Sequence, residues 1–400
     1  MRETVILAGA RTPVGKLQGA LAPVSAVELG ATAIRAAMGR AGVAPGQVEH
    51  VNLGMALQAG TGQNPARQAA FAAGLGREVT AELTNRVCGS GLRAIALADL
   101  LIRAGHHDVV VAGGMESMSN APFALDRARG GYRMGDGVLR DLMVRDGLWS
   151  AIDDRTMGSH GDQVAAEERV SREEQDAFAL RSHQRYAAAL AAGIPQQEIT
   201  PVEVPGRKGA VTVVSQDEAP RPDASLAALA RLPTLYDGDS TVTAGNAPGV
   251  NDGAAALVLA DAGWARDRGL TPLATVRSSG SAAWDVPYLA YTPELASRDA
   301  LRRAGLAVPD VDLWELNEAF SSVPIIAARR LGVDQERVNV NGGAVAIGHP
   351  IGMSGARITL SLAMELQRRG GGIGCAAICS GGGQGDAVVI EAGPGRSDRP

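Results

Sequence analysis

Apolar residues along this chain gather in short unbroken runs, separated by stretches in which they recur at helical spacing. The run TVILAGA from Thr4 predicts a strand, and Ser25 with Glu28 three residues on predicts a helix opened by a capping box. VEHVNLGMA from Val48 again reads as a strand. Asn64-Pro65 then opens a helix, with asparagine as cap and proline at the first position. Val79 to Leu83, the helical pattern from Gly89 to Gly105 and the run DVVVAGG from Asp108 continue the alternation. Runs with so little polar interruption predict strands covered on both faces. The expected fold class is therefore layered α/β, with helices between and outside two similar sheets.

The pattern occurs twice. RAGVAPGQVEHVNLGMA from Arg40 parallels RAGLAVPDVDLWELNEA from Arg303, an offset of 263 (303 − 40). GSGLRAIALADLLIRAG from Gly89 parallels MSGARITLSLAMELQRRG from Met353, an offset of 264 (353 − 89). An offset held over such a span predicts two copies of one unit. Residues 119–245 have no counterpart in the second copy. They begin Gly/Arg-rich, contain a polar helix opened by Ser171 and Glu174 as a further capping box, and end in a proline-containing stretch. GVNDGAAALVLAD, 249–261, resembles GGQGDAVVIEAG, 382–393, and supplies the last strand of the first copy. The expected organisation is an N-terminal half of 1–118 plus 246–270, an inserted loop domain of 119–245 and a C-terminal half of 271–400.

Composition removes several classes of function. The 400 residues are 46% hydrophobic and 20% charged with a net charge of −5, so no basic footprint for nucleic acid is present. Aromatic residues at 3% offer few stacking platforms. No window approaches the roughly 18 apolar residues of a membrane span, and the N-terminus lacks a signal-peptide pattern. The expectation is a cytoplasmic protein with no membrane partner. Three cysteines make no disulfide framework, and His106-His107 and Cys375/Cys379 lack companions at zinc-site spacing, so no metal is expected.

The chemistry-bearing candidates lie at matching strand–helix boundaries. Cys88 precedes the helix from Gly89, whose free N–H groups and partial positive charge predict a lowered thiol pKa. Gly89 and Gly91 read as room for a substrate's close approach. The alternative is a small buried hydrophobe. In the second copy stands His349; a lone histidine is often structural, but one fixed between Gly348 and Pro350 just before a helix start reads as positioned for a task, such as taking a proton from Cys88. Cys379 ends an apolar strand before three glycines whose N–H groups suit an oxyanion, the alternative being a flexible Gly-rich turn, whereas Cys375 reads as core. Asn317-Glu318 stands at another such boundary, where simple helix capping by asparagine is the alternative.

These residues resemble the thiolases. NRVCGSGL, GNAPGVNDGAA, NEAF, GGAVAIGHPIGMSGAR and CSGGGQG stand in that family's order and spacing over essentially the whole chain. The resemblance implies a thiolase-like αβαβα core of two duplicated halves with an inserted loop domain that binds coenzyme A. It implies reversible Claisen condensation and thiolysis of 3-ketoacyl-CoA through a cysteine acyl-enzyme, with acetoacetyl-CoA or another short-chain thioester as substrate. Coenzyme A and acyl-CoA are then substrates, with no permanently bound cofactor. By position Cys88 is the nucleophile, His349 its base and Cys379 the proton exchanger. Asn317, holding a water, forms one oxyanion hole with His349; the N–H groups of Cys88 and Gly381 form the other. Arg221, Leu148, Met157 and Pro248 match coenzyme A and pantetheine positions. The family also implies a homo-oligomer, dimer or tetramer. Thr156 stands where the short-chain pattern has histidine and Pro248 where it has serine, while Tyr288 and Tyr291 add bulk where a Met-Gly pair is usual. Two alternatives remain: a decarboxylating ketoacyl synthase-like enzyme, and a non-catalytic CoA-thioester-binding homologue.

Overall fold

The computed structural model describes residues 2–236, 238 and 240–393; Asp237 and Asp239 of the insertion and the stretch 394–400 lie outside the described residues. The first half runs β1 (Thr4–Arg11), α1 (Ala26–Ala41), β2 (His50–Gly54), α2 (Pro65–Ala72), β3 (Thr80–Thr84), α3 (Ser90–Arg103) and β4 (Val109–Ser117). The inserted segment carries α4 (Met157–Glu167) and α5 (Arg172–Ala191), after which β5 (Asn251–Asp261) completes the half. The second half follows the same order without, among the described residues, a strand to match β3, as β6 (Ala274–Ala283), α6 (Thr292–Ala304), β7 (Leu313–Leu316), α7 (Ser322–Leu331), α8 (Ser354–Arg368), β8 (Gly372–Ser380) and β9 (Gln384–Ala392).

Local signals explain the helix starts. Ser25 and Glu28 form the reciprocal capping box, and Asn64 accepts the Arg67 N–H. Ser171 accepts the Glu174 N–H, but the box is not completed: the Glu174 carboxylate pairs with Arg329 of α7 instead. A charged partner on another helix outcompetes the local backbone.

The strands run β7-β8-β9-β6-β1-β5-β4-β2-β3. The two expected sheets are thus joined into one, through an edge pairing of Thr4–Ile6 with Ala274–Val276. Side-chain alternation defines five layers. Val5 and Leu7 pack outward with Leu29 and Ile34 of α1, while Ile6 faces Ile95 of α3 and Ile358 of α8. Ala376 and Ile378 of β8 face the same two helices, and Cys375 and Ala377 face α6 and α7. Each fully buried leucine or isoleucine contributes roughly 1.5–3 kcal/mol, and the central layer is apolar on both sides because α3 and α8 pack against both halves of the one sheet.

Those two helices meet through glycine. A Cβ on Gly91 would lie 2.6 Å from the Gly352 oxygen and 3.0 Å from the Ala356 nitrogen; one on Gly355 would lie 2.3 Å from the Leu92 nitrogen. The contacts are reciprocal under the duplication offset of 264 (355 − 91 and 356 − 92), which places a pseudo-twofold axis between the helix starts. Gly91 is therefore a helix-packing glycine, not room for a substrate. Gly89 likewise faces Asp386, whose Oδ2 would lie 2.8 Å from its Cβ. The insertion is locked to β1 by buried Arg11, which pairs with Glu198 at 2.7 Å and Asp217 at 2.8 Å.

Candidate active site

Cys88 sits at the strand-to-helix elbow between β3 and α3, and the residue before it is strained. Val87 has φ 45°, a left-handed conformation that a β-branched side chain rarely adopts and that costs on the order of 1–3 kcal/mol. Three side chains hold it. Asn85 Oδ1 accepts the Val87 N–H at 3.0 Å, Ser90 Oγ donates to the Val87 carbonyl at 2.6 Å, and Ser380 Oγ, from the other half, donates to the Arg86 carbonyl. The elbow thrusts the half-buried Cys88 sulphur into a cavity. Burial pushes this thiol up to about 11, although the N–H groups of Gly381 and of Cys88 itself hydrogen-bond the sulphur and pull the other way. The lowered pKa expected from the helix start is thus reversed, because desolvation of a thiolate outweighs two amides. Cys88 rests as the thiol.

His349 arrives from the opposite half, at the end of a single helical turn, Ala344–Ile347, closed by Gly348. Gly348 has φ 115°, and a Cβ there would strike the Asn251 side chain. Asn251 Oδ1 accepts the His349 N–H at 2.9 Å. The ring is oriented by Ser354: His349 Nδ1 lies 2.6 Å from Ser354 Oγ, which donates its own proton to the Pro350 carbonyl at 2.9 Å. A hydroxyl has one proton to give; assigning it to the Pro350 carbonyl puts the ring hydrogen on Nδ1 and leaves Nε2 as the free acceptor. Nε2 is buried with no partner among the described residues. Burial and the nearby charge of Arg357 push the imidazole down to about 3, so it is neutral.

Cys379 lines the same cavity; burial and the neighbouring Cys88 push its thiol well above the usual range. Asn317 follows β7, anchored by its N–H to the Ala377 carbonyl at 2.9 Å. Its side chain is buried, and both amide atoms lack a partner among the described residues. Orphaned groups of this kind call for a ligand or water. The cavity encloses about 870 Å³ including its mouth. Leu148, Met157 and Pro248 line it; Arg221 and Asn317 do not. Arg221 is exposed and donates to the Ala244 carbonyl at 3.1 Å. Tyr288 and Tyr291 also stay out of the cavity wall, which takes Leu289 between them; the Tyr291 hydroxyl turns to Glu168 at 2.7 Å. Thr156 is spent capping α4.

Residues 4–263 match the thiolase N-terminal domain and residues 270–392 the thiolase C-terminal domain. The chain belongs to the thiolase family. It is 48% identical over 392 residues to the acetyl-CoA acetyltransferase of Escherichia coli K12, covering 98% of this chain and 99% of that protein. The acetyl-CoA acetyltransferase of Cupriavidus necator H16 is 48% identical over 391 residues, covering 98% of this chain and all of the relative. The crystal structure of the Bacillus anthracis acetyl-CoA acetyltransferase superposes with a TM-score of 0.96 at 41% identity, over 98% of this chain and 99% of that one.

Three site residues of this thiolase-family chain escaped the sequence reading. Ser354 orients the imidazole, Ser380 braces the elbow, and Glu116 stitches the halves together. Its buried carboxylate accepts N–H groups from Ala56 at 2.9 Å, Leu57 at 3.0 Å and Gly352 at 2.9 Å. Burial pushes it up to about 7. A glutamate closing the apolar strand VVVAGGMES was the available signal.

Proposed function

We propose that this thiolase cleaves and forms short-chain 3-ketoacyl-CoA, with acetoacetyl-CoA as the first substrate to try, and that Cys88 carries the acyl group. The observation that carries this reading is the convergence of Cys88, His349, Cys379 and Gly381 on one cavity lined largely by apolar side chains. His349 Nε2 takes the Cys88 proton as the sulphur attacks the keto carbon. Burial pushes the Cys88 thiol up and the His349 imidazole down, which opposes a resting thiolate–imidazolium pair, so proton transfer accompanies C–S bond formation. The N–H groups of Cys88 and Gly381 receive the tetrahedral oxyanion.

Cleavage of the carbon–carbon bond leaves an acyl-Cys88 and the enolate of acetyl-CoA. The protonated His349, with a water held by the orphaned Asn317 amide, stabilises that enolate oxygen. Cys379 protonates its carbon. The Cys379 thiolate then takes the proton of incoming coenzyme A, whose sulphur attacks the acyl-Cys88; the departing Cys88 sulphur takes back the proton held on His349, and all three groups return to their starting state. Two half-reactions through a covalent intermediate give ping-pong kinetics.

The inserted segment 119–245, with Leu148 and Met157 on the cavity wall and Arg221 outside it, holds coenzyme A together with Pro248. The protein acts in the cytoplasm, in fatty acid metabolism; its three free cysteines suit a reducing compartment. It assembles as a homo-oligomer, dimer or tetramer. The open edge of β3 and the exposed Phe123, Met134, Val138 and Leu139 on the insertion are surfaces that such assembly would cover.

The test is thiolysis of acetoacetyl-CoA by the wild-type protein and by Cys88→Ala, with mass spectrometry of the Cys88 peptide after acetyl-CoA. Turnover abolished by the substitution and an acetylated Cys88 are expected. A wild-type protein inert toward every 3-ketoacyl-CoA overturns the reading.

A further inference from the structure

His349 lines the cavity and Asn317, from another segment, does not; both must be placed to a fraction of an ångström if the imidazole and a water on the Asn317 amide are to share one oxyanion. The residue between them in the hydrogen-bond graph is Glu318. It is buried and does not line the cavity. Its backbone is bonded to Asn317. Its carboxylate reaches the segment that delivers His349: Oε2 accepts the Val345 N–H at 2.9 Å and the Ser182 hydroxyl at 2.8 Å. Ser182 Oγ in turn accepts the Gly343 N–H at 3.0 Å. Oε1 accepts from Asn339 Nδ2 at 2.9 Å. Asn339 cannot turn its amide, because its Oδ1 accepts the Leu316 N–H and its Nδ2 also donates to the Leu316 carbonyl, each at 2.8 Å.

The loop is shaped around this carboxylate. A Cβ on Gly343 would lie 2.3 Å from the Glu318 carboxyl carbon, and one on Gly342 would lie 2.6 Å from the Ser182 carbonyl. The turn Ala344–Ile347 therefore starts against Glu318 and ends at Gly348, one residue before the imidazole. All three partners are donors, so the site is built for an acceptor with no proton of its own.

We propose that Glu318 is a positioning residue that sets the distance between the Asn317 amide and His349 Nε2, using Ser182 of the inserted segment as its second anchor. This rests on the thiolase reading of the pocket. It gives α5, outside the catalytic core, a direct hold on the His349 loop.

Glu318→Gln keeps the shape but turns one acceptor oxygen into a donor facing a donor. Gly343→Ala displaces the carboxylate without removing it. Both are expected to lower kcat for acetoacetyl-CoA thiolysis about tenfold or more, since small misplacements of reacting groups cost up to roughly 10². KM should stay within about twofold, because neither residue lines the cavity. The rate of Cys88 alkylation by iodoacetamide near pH 8 should fall with kcat, because the base that assists the thiol has moved. A purely structural role would lower the melting temperature and leave kcat per folded molecule unchanged. That result, wild-type kcat in both variants, or a loss confined to KM overturns the proposal. The wild-type enzyme separates the two claims. If it turns over no 3-ketoacyl-CoA, the thiolase reading fails, and the alkylation comparison alone decides whether Glu318 positions His349.

Discussion

Ser354→Ala tests the tautomer argument most directly. The assignment has the Ser354 hydroxyl accept from His349 Nδ1–H, the two atoms 2.6 Å apart, and give its own proton to the Pro350 carbonyl. Removing it leaves a buried Nδ1–H without a partner, which costs about 1–3 kcal/mol. The neutral ring escapes that cost by moving its proton to Nε2, where it faces the cavity and can no longer accept from Cys88. At a factor of ten per 1.36 kcal/mol, the active tautomer and the rate of Cys88 acylation fall roughly 5- to 150-fold. KM should not move, because Ser354 does not line the cavity. Single-turnover acylation by acetyl-CoA, followed by quench and mass spectrometry, measures the step. A variant that acylates within about twofold of wild type would refute the reasoning.

Three further outcomes are expected. Because burial holds the Cys88 thiol near 11, its neutral form dominates below that value, and iodoacetamide alkylation should accelerate with pH from 7 to 10; a plateau below pH 8 contradicts this. Cys379→Ala should still acylate Cys88 but lose α-proton exchange, lowering thiolysis roughly 10²- to 10⁴-fold; deuterium uptake into acetyl-CoA at the wild-type rate would assign the proton elsewhere. Gly91→Ala drives a methyl group against the Gly352 and Ala356 backbone, and overpacking of this kind costs about 1–3 kcal/mol; an unchanged urea midpoint would show that α3 and α8 can part freely.

The sequence carried the layered fold far because the duplication writes most of the core strands and helices twice. The strand supplied by 251–261, the helix starts at Ser25 and Asn64 and the elbow positions of Cys88 and His349 all follow from local pattern. Facts that depend on what the far half places nearby were not legible. Gly91 reads locally as open space, yet the space is filled by the other helix. The positive helix start promised a thiolate, but desolvation is a property of the closed pocket. Tyr288 and Tyr291 add bulk in the sequence, and only the course of the chain keeps that bulk out of the cavity wall. Ser354 stands five residues from His349, but its role depends on where the Pro350 carbonyl points.

The reciprocal glycine contact between α3 and α8 has a consequence for how such a site can arise. At the offset of 264, Cys88 corresponds to Gly352 (88 + 264) and His349 to Asn85 (349 − 264). Two identical half-chains associating across that axis would therefore carry every group twice and form two equal sites. Joining both copies in one chain lets the two sides diverge, so that the cysteine stands in one copy, the histidine in the other and the insertion in one copy alone.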